Sequence, residues 1–159
     1  MAELTGEQRE LLAGSEFAIC VADFYTELAK RLVNGAVEAF AAAGVTPASV
    51  HEHRVPGAFE LALAARWCAE SGRFAGVACL GAVIRGETDH YEHVCAQAAR
   101  GIQQVGLETG IPCAFGVITA ESMDQALARA GGEKRDQGGD AARAVMRMAA
   151  LRRSLVGGG

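Results

Sequence analysis

Apolar residues in this chain come in two textures: short continuous runs, and longer stretches in which they recur every three or four positions. Residues 17–22 (FAICVA) form a run of strand length, and residues 76–84 (GVACLGAVI) are apolar almost throughout. That second pattern suits a strand covered on both faces. Residues 49–55 (SVHEHRV) alternate and predict a further strand, as do residues 113–119 (CAFGVIT). Helical spacing fills the gaps. In 25–44, Leu28, Leu32, Ala36 and Phe40 stand four apart, and in 90–110 one face carries Tyr91, Val94, Ala98, Ile102 and Val105. Residues 58–72, 122–131 and 139–155 are also helical, and Gly44 and Gly72 sit where helices close. Strand then helix, four times, with a final helix, predicts an α/β fold. Right-handed crossovers make it a flavodoxin-like three-layer sandwich with a four-stranded parallel sheet. Residues 1–14 read as a polar N-terminal segment, 15–155 as one domain and 156–159 as a flexible tail.

Composition narrows the partners. The chain has 159 residues, half of them hydrophobic, with 15 basic and 19 acidic side chains for a net charge of −4. Nucleic acid is a poor partner for such a balance, although one small anionic substrate held by a local arginine remains compatible. No apolar run reaches membrane-spanning length, and "MAELTGEQRELLAG" is too polar for a secretory signal. Five cysteines, odd in number, spread out and without a C-x-x-C pair, read as reduced thiols of a cytoplasmic protein.

Ligands of such sheets bind beyond the carboxyl ends of the strands. Three polar stretches converge there: Asp23-Phe24-Tyr25, "VPGAFE" (55–60) and "IRGETDH" (84–90). In the last, Gly86 permits a tight turn and Thr88 or Asp89 can cap the next helix, Asp89 and Glu92 having capping-box spacing. The unpaired N–H groups of that helix start suit a phosphate or carboxylate. His90 falls in the same turn, where a neutral imidazole can do acid–base work; solvated first-turn residue is the plainer reading. His93, one turn on, reads as packing or as a support behind the site. His51 with His53, like His90 with His93, lacks a third ligand in register, so no metal is expected. Pro56 ends its strand, Gly57 frees the backbone, and Glu60 either complements a helix dipole or accepts from a polyol. Phe24 is core or a stacking platform. Phe115 and Arg129 belong to the opposite edge of the sheet, and any site they serve should be a neighbouring subunit's.

With these residues assembled, the chain resembles the lumazine synthase family. The matching motifs are "VPGAFE", "LGAVIRGETDHYEHV", "GLETGIPCAFGVIT", "DQALARAG" and "GGDAARAVMRMAALRR", from about Phe17 to Arg153. The resemblance implies condensation of 5-amino-6-(ribitylamino)uracil with 3,4-dihydroxy-2-butanone 4-phosphate, through an imine, with loss of phosphate and without cofactor or metal. It implies that Phe24 stacks on the pyrimidine, that Ala58, Phe59 and Glu60 hold the ribityl side, and that Ala82, Val83 and Ile84 edge the ring. Glu87 and Thr88 would offer the phosphate turn and His90 would move protons. Phe115 and Arg129 would come from the adjacent subunit, Arg129 meeting phosphate, in a homopentamer or a pentamer-based shell.

Two departures stand out. Asp23-Phe24-Tyr25 replaces a frequent Arg-Phe-Asn, and Gln137 stands where the family often has lysine, unless Lys134 or Arg135 replaces that charge. These support an alternative reading as a non-catalytic flavin- or lumazine-binding or scaffold paralogue. Intact His90 and Arg129 argue for the enzyme, and the changed "GNKG" loop favours a pentamer. A phospho-acceptor signalling domain lacks its aspartate after the third strand, and no P-loop or G-x-G-x-x-G is present.

Overall fold

The computed structural model describes residues 1–157; Gly158 and Gly159, part of the expected tail, lie outside the described residues. Four strands, β1 (Phe17–Ala22), β2 (Val50–Val55), β3 (Gly76–Ile84) and β4 (Cys113–Ala120), form a parallel sheet in the order β2-β1-β3-β4. The helices are α1 (Gly6–Leu11), α2 (Thr26–Ala42), α3 (Leu61–Glu70), α4 (His90–Thr109), α5 (Met123–Arg129) and α6 (Gln137–Val156). Short 3₁₀ turns, Pro47–Ser49 and Ala58–Glu60, precede β2 and α3. The flavodoxin-like α/β architecture is therefore present, helices covering both faces.

Strand alternation assigns the two faces. Phe17, Ile19, Val21, Ala78 and Leu80 point toward α2, α5 and α6, and Ala18, Cys20, Val77, Cys79 and Val83 toward α3 and α4. Central β1 is buried at every residue, whereas edge strand β2 buries none, which explains why one reads as continuous and the other as alternating. Gly44 and Gly72 adopt the left-handed conformation (φ 89° and 75°) that closes the helices before them.

Two ends differ from expectation. The N-terminal segment contains α1, held by a capping box in which Gln8 N–H donates to the Thr5 hydroxyl and Gln8 accepts from the Thr5 N–H. Buried Leu4 and Leu12 join the α2/α6 core, and Arg143 Nε donates to Glu3 at 3.0 Å, so this segment docks on the sandwich. At the other end, α6 continues through Val156.

Candidate active site

The strand order decides where the site forms. β2, β1 and β3 are neighbours, so their three carboxyl-terminal exits emerge side by side. The Asp23 N–H donates to the Val55 carbonyl at 3.0 Å, continuing the β1–β2 pairing one step past the last strand residues. Phe24 follows with 74% of its surface exposed, and its ring meets Tyr25 edge-on, centroids 4.9 Å apart at 80°. Tyr25 packs against the α2/α6 core, so an exposed aromatic platform is braced from below. Asp23 faces Arg54 at 3.9 Å.

After β2, Ala58 is buried while Phe59 and Glu60 are exposed on the 3₁₀ turn. Gly57 is in ordinary extended backbone (φ −149°), so the expected backbone freedom is not used; a Cβ there would sit 3.4 Å from the Glu60 carboxylate. At the end of β3, Val83 is buried toward α3 and α4, and half-buried Ala82 and Ile84 pack on the opposite core.

In the turn 85–90, one of the two expected caps, Thr88, is in use, whereas the expected Asp89–Glu92 box is absent. Asp89 occupies the N-cap position of α4 but its side chain accepts nothing; the Thr88 hydroxyl takes the His90 N–H instead, at 3.3 Å. Glu92 forms no capping box because it accepts from Arg85, whose hydrogen bond holds the Glu92 carboxyl below its ordinary range. Gly86 does not adopt a left-handed conformation, and a Cβ placed on it meets nothing within 4 Å. Space, rather than a strained turn, is what glycine provides there. Glu87, Thr88 and His90 are all exposed on this shelf, as is His93. His51 lies 2.7 Å from Glu16 and near the Phe74 ring on the edge strand, a structural pairing. Among the described residues no three His, Cys, Asp or Glu side chains gather at metal-binding spacing.

Phe24, Ala58, Phe59, Glu60, Ala82, Val83, Ile84, Glu87, Thr88 and His90 thus share one end of the sheet. Phe115 and Arg129 do not. Phe115 is opposite Cys79, five residues before the Ile84↔Ala120 pair, about 17 Å back along β4. It is 38% exposed on the far edge. Arg129 ends α5, and its guanidinium donates to the Gln125 carbonyl of its own helix at 3.0 Å. Of the cations that could stand in for Gln137, Arg135 is paired with Asp140 at 3.0 Å, whereas Lys134 enters no ion pair among the described residues. Sequence reasoning missed Arg85 and Glu121, which meet at the β3 and β4 exits; the only sequence signal was the opposite charge of Arg85 and Glu92 flanking the turn.

The 6,7-dimethyl-8-ribityllumazine synthase profile matches residues 14–153. A 6,7-dimethyl-8-ribityllumazine synthase of Syntrophus aciditrophicus is 43% identical over 94% of this chain and 97% of its own. One from Desulfosudis oleivorans is 42% identical, covering 87% and 88%. A chloroplastic one from Arabidopsis thaliana is 43% identical over 87% of this chain and 61% of its own. The chain belongs to the 6,7-dimethyl-8-ribityllumazine synthase family.

Proposed function

We propose that the protein condenses 5-amino-6-(ribitylamino)uracil with 3,4-dihydroxy-2-butanone 4-phosphate to 6,7-dimethyl-8-ribityllumazine, releasing phosphate, as a transferase of riboflavin biosynthesis. The carrying observation is family membership across nearly the whole chain, and the shelf formed by the three strand exits is the place for the reaction. On that shelf Phe24 stacks on the pyrimidine, with Ala82, Val83 and Ile84 along its edge. Ala58, Phe59 and Glu60 hold the ribityl chain, the carboxylate accepting from its hydroxyls. Glu87 and Thr88 cradle the phosphate over the open space at Gly86. The amino group attacks the ketone and one water leaves to give an imine; phosphate is eliminated, the enol so formed becomes a ketone, and the ribityl-bearing nitrogen adds to it and expels a second water to close the ring. His90, exposed at the helix start, carries the protons among these steps.

Phe115 and Arg129 complete the shelf of an adjacent subunit. Exposed apolar surface supports an assembly: Phe59, Leu63 and Trp67 stand four apart along the α3 segment, Trp67 with 65% of its surface exposed. A groove of about 490 Å³ also opens between α4 and α6, with Leu107, Ile111, Met148, Leu151 and Leu155 in its walls. A homopentamer is the assembly we assign. Five free thiols agree with a cytoplasmic setting, and no helix among the described residues is long and apolar enough to cross a membrane.

The test is lumazine formation followed by absorbance above the uncatalysed rate. Wild type should accelerate it, and His90→Ala and Arg129→Ala should each lower turnover, by about 10²–10⁴-fold for the histidine. Untouched turnover in both variants would end this assignment of roles.

A further inference from the structure

One strongly engaged side chain has no part in the reaction as described. Arg85 is the first residue after β3, and its N–H donates to the Ala120 carbonyl at 2.9 Å, extending the β3–β4 pairing by one step. Its guanidinium then reaches three groups. Nε lies 3.1 Å from Glu121 Oε1 and 2.9 Å from Oε2, Nη1 donates to Glu92, and Cζ stands 4.3 Å from the Tyr91 ring centre. Glu121 directly follows β4. Tyr91 and Glu92 directly follow His90 in the first turn of α4.

A single exposed ion pair stabilises little. Here a planar fork is gripped by two carboxylates and laid on an aromatic face, which sets its orientation as well as its charge. The four residues between Arg85 and His90 are all exposed, and the Thr88 contact is their one side-chain hydrogen bond, at 3.3 Å. Beside the apolar packing of Tyr91, Val94 and Cys95, Arg85 is therefore the polar link between the α4 start and the β4 exit. Small displacements matter in such a site, since a shift of about 1 Å can cost about 100-fold in rate.

We propose that Arg85 is a positioning residue: it staples the first turn of α4 to the exit of β4, and so holds His90 and the 86–88 turn in fixed relation. The proposal rests on the reaction assigned above and deepens it. Lysine in its place would keep the charge and lose the fork and the stacking plane.

The experiment uses Arg85→Ala, Arg85→Lys and Glu121→Gln, each as the assembled protein, with both substrates varied in turn. In Arg85→Ala, kcat should fall by about tenfold or more while KM for the butanone phosphate rises. KM for the aminouracil, assigned to Phe24 and Glu60, should stay within about twofold. Arg85→Lys should recover part of kcat, and Glu121→Gln should show the same split more weakly. Hydrogen exchange gives a readout free of turnover: amides across residues 85–93 should exchange faster in Arg85→Ala, the rest of the chain as in wild type.

A wild type that does not accelerate condensation removes the reaction, and the catalytic half of this proposal with it; local exchange then still decides the staple. With an active wild type, unchanged exchange across 85–93, parallel rises in both KM values, or a lysine variant no better than alanine would overturn the proposal. If Arg85→Ala does not fold, Glu121→Gln is judged by the same split and the same amides.

Discussion

Two glycines, one in α6 and one in α4, should respond in opposite directions to the same added methyl. Gly138 is the second residue of α6 and is buried where that helix crosses α2. A Cβ on it would lie 2.1 Å from the Leu32 carbonyl oxygen, 2.8 Å from its carbonyl carbon and 3.0 Å from its Cα. Carbon and oxygen normally approach no closer than about 3.3 Å, so the helices must part by about 1 Å. All three atoms are backbone, and no side chain can rotate away. Overpacking of this kind costs about 1–3 kcal/mol, and the gain in helix propensity near a helix start offsets little of it. Gly106, inside α4, has nearest neighbours at 3.6, 3.9 and 4.0 Å, which is ordinary contact. There alanine should stabilise by about 0.5–1 kcal/mol. At about 2–4 °C per kcal/mol for a chain of this size, Gly138→Ala lowers Tm by about 2–12 °C and Gly106→Ala raises it by about 1–4 °C. Thermal and urea unfolding at one fixed protein concentration would measure both, with m unchanged. Loss of less than about 0.5 kcal/mol for Gly138→Ala would refute the close-crossing argument, as would destabilisation by Gly106→Ala.

Other outcomes follow from the site and the thiols. Gly86→Ala should leave stability within about 0.5 kcal/mol, because a Cβ meets nothing in the chain, yet raise KM for the butanone phosphate in steady-state kinetics. Since Arg85 depresses the Glu92 carboxyl in the folded protein, that contribution is present above the ordinary carboxylate value and lost as pH falls through the lower folded one. Urea unfolding should therefore find Glu92→Gln less stable than wild type near about pH 6, the gap narrowing as pH falls below the ordinary carboxylate range; a gap independent of pH would contradict the pairing. Cys68 lies 3.7 Å from Cys20 Sγ, and the hydrogen bond from Cys20, with Arg73 nearby, lowers its pKa against a smaller opposing effect of burial. Burial pushes Cys113 up to about 11 and raises Cys79 strongly. Mass spectrometry after limited alkylation of the native protein should find Cys68 modified well before Cys79.

The fold was legible because its periods are unmixed. Phe17–Ala22 and Gly76–Ile84 are continuous runs because both are covered on two faces, and the helical stripes begin and end within a few residues of the observed helices. α1 was not foreseen as a helix, although Thr5 and Gln8 had capping-box spacing. Six residues are too few to sustain a helix alone, and what holds this one is Leu4 and Leu12 buried in the sandwich core, with Arg143 and Arg153 of α6 donating to Glu3 and to the Leu11 carbonyl. The site divides along the same line. Phe24, Glu60 and His90 could be placed because each follows a strand at a fixed short interval, so strand order alone brings them together. The Asp89–Glu92 capping box did not form because Glu92 had a competing partner. Arg85 takes it, and Arg85 is held there by Glu121, 36 residues on in sequence yet its neighbour once Ile84 pairs with Ala120. Local spacing locates a turn, but cross-strand register decides which charges meet over it. That is why Glu121, the carboxylate that meets Arg85 from the next strand, is one that no local pattern singles out.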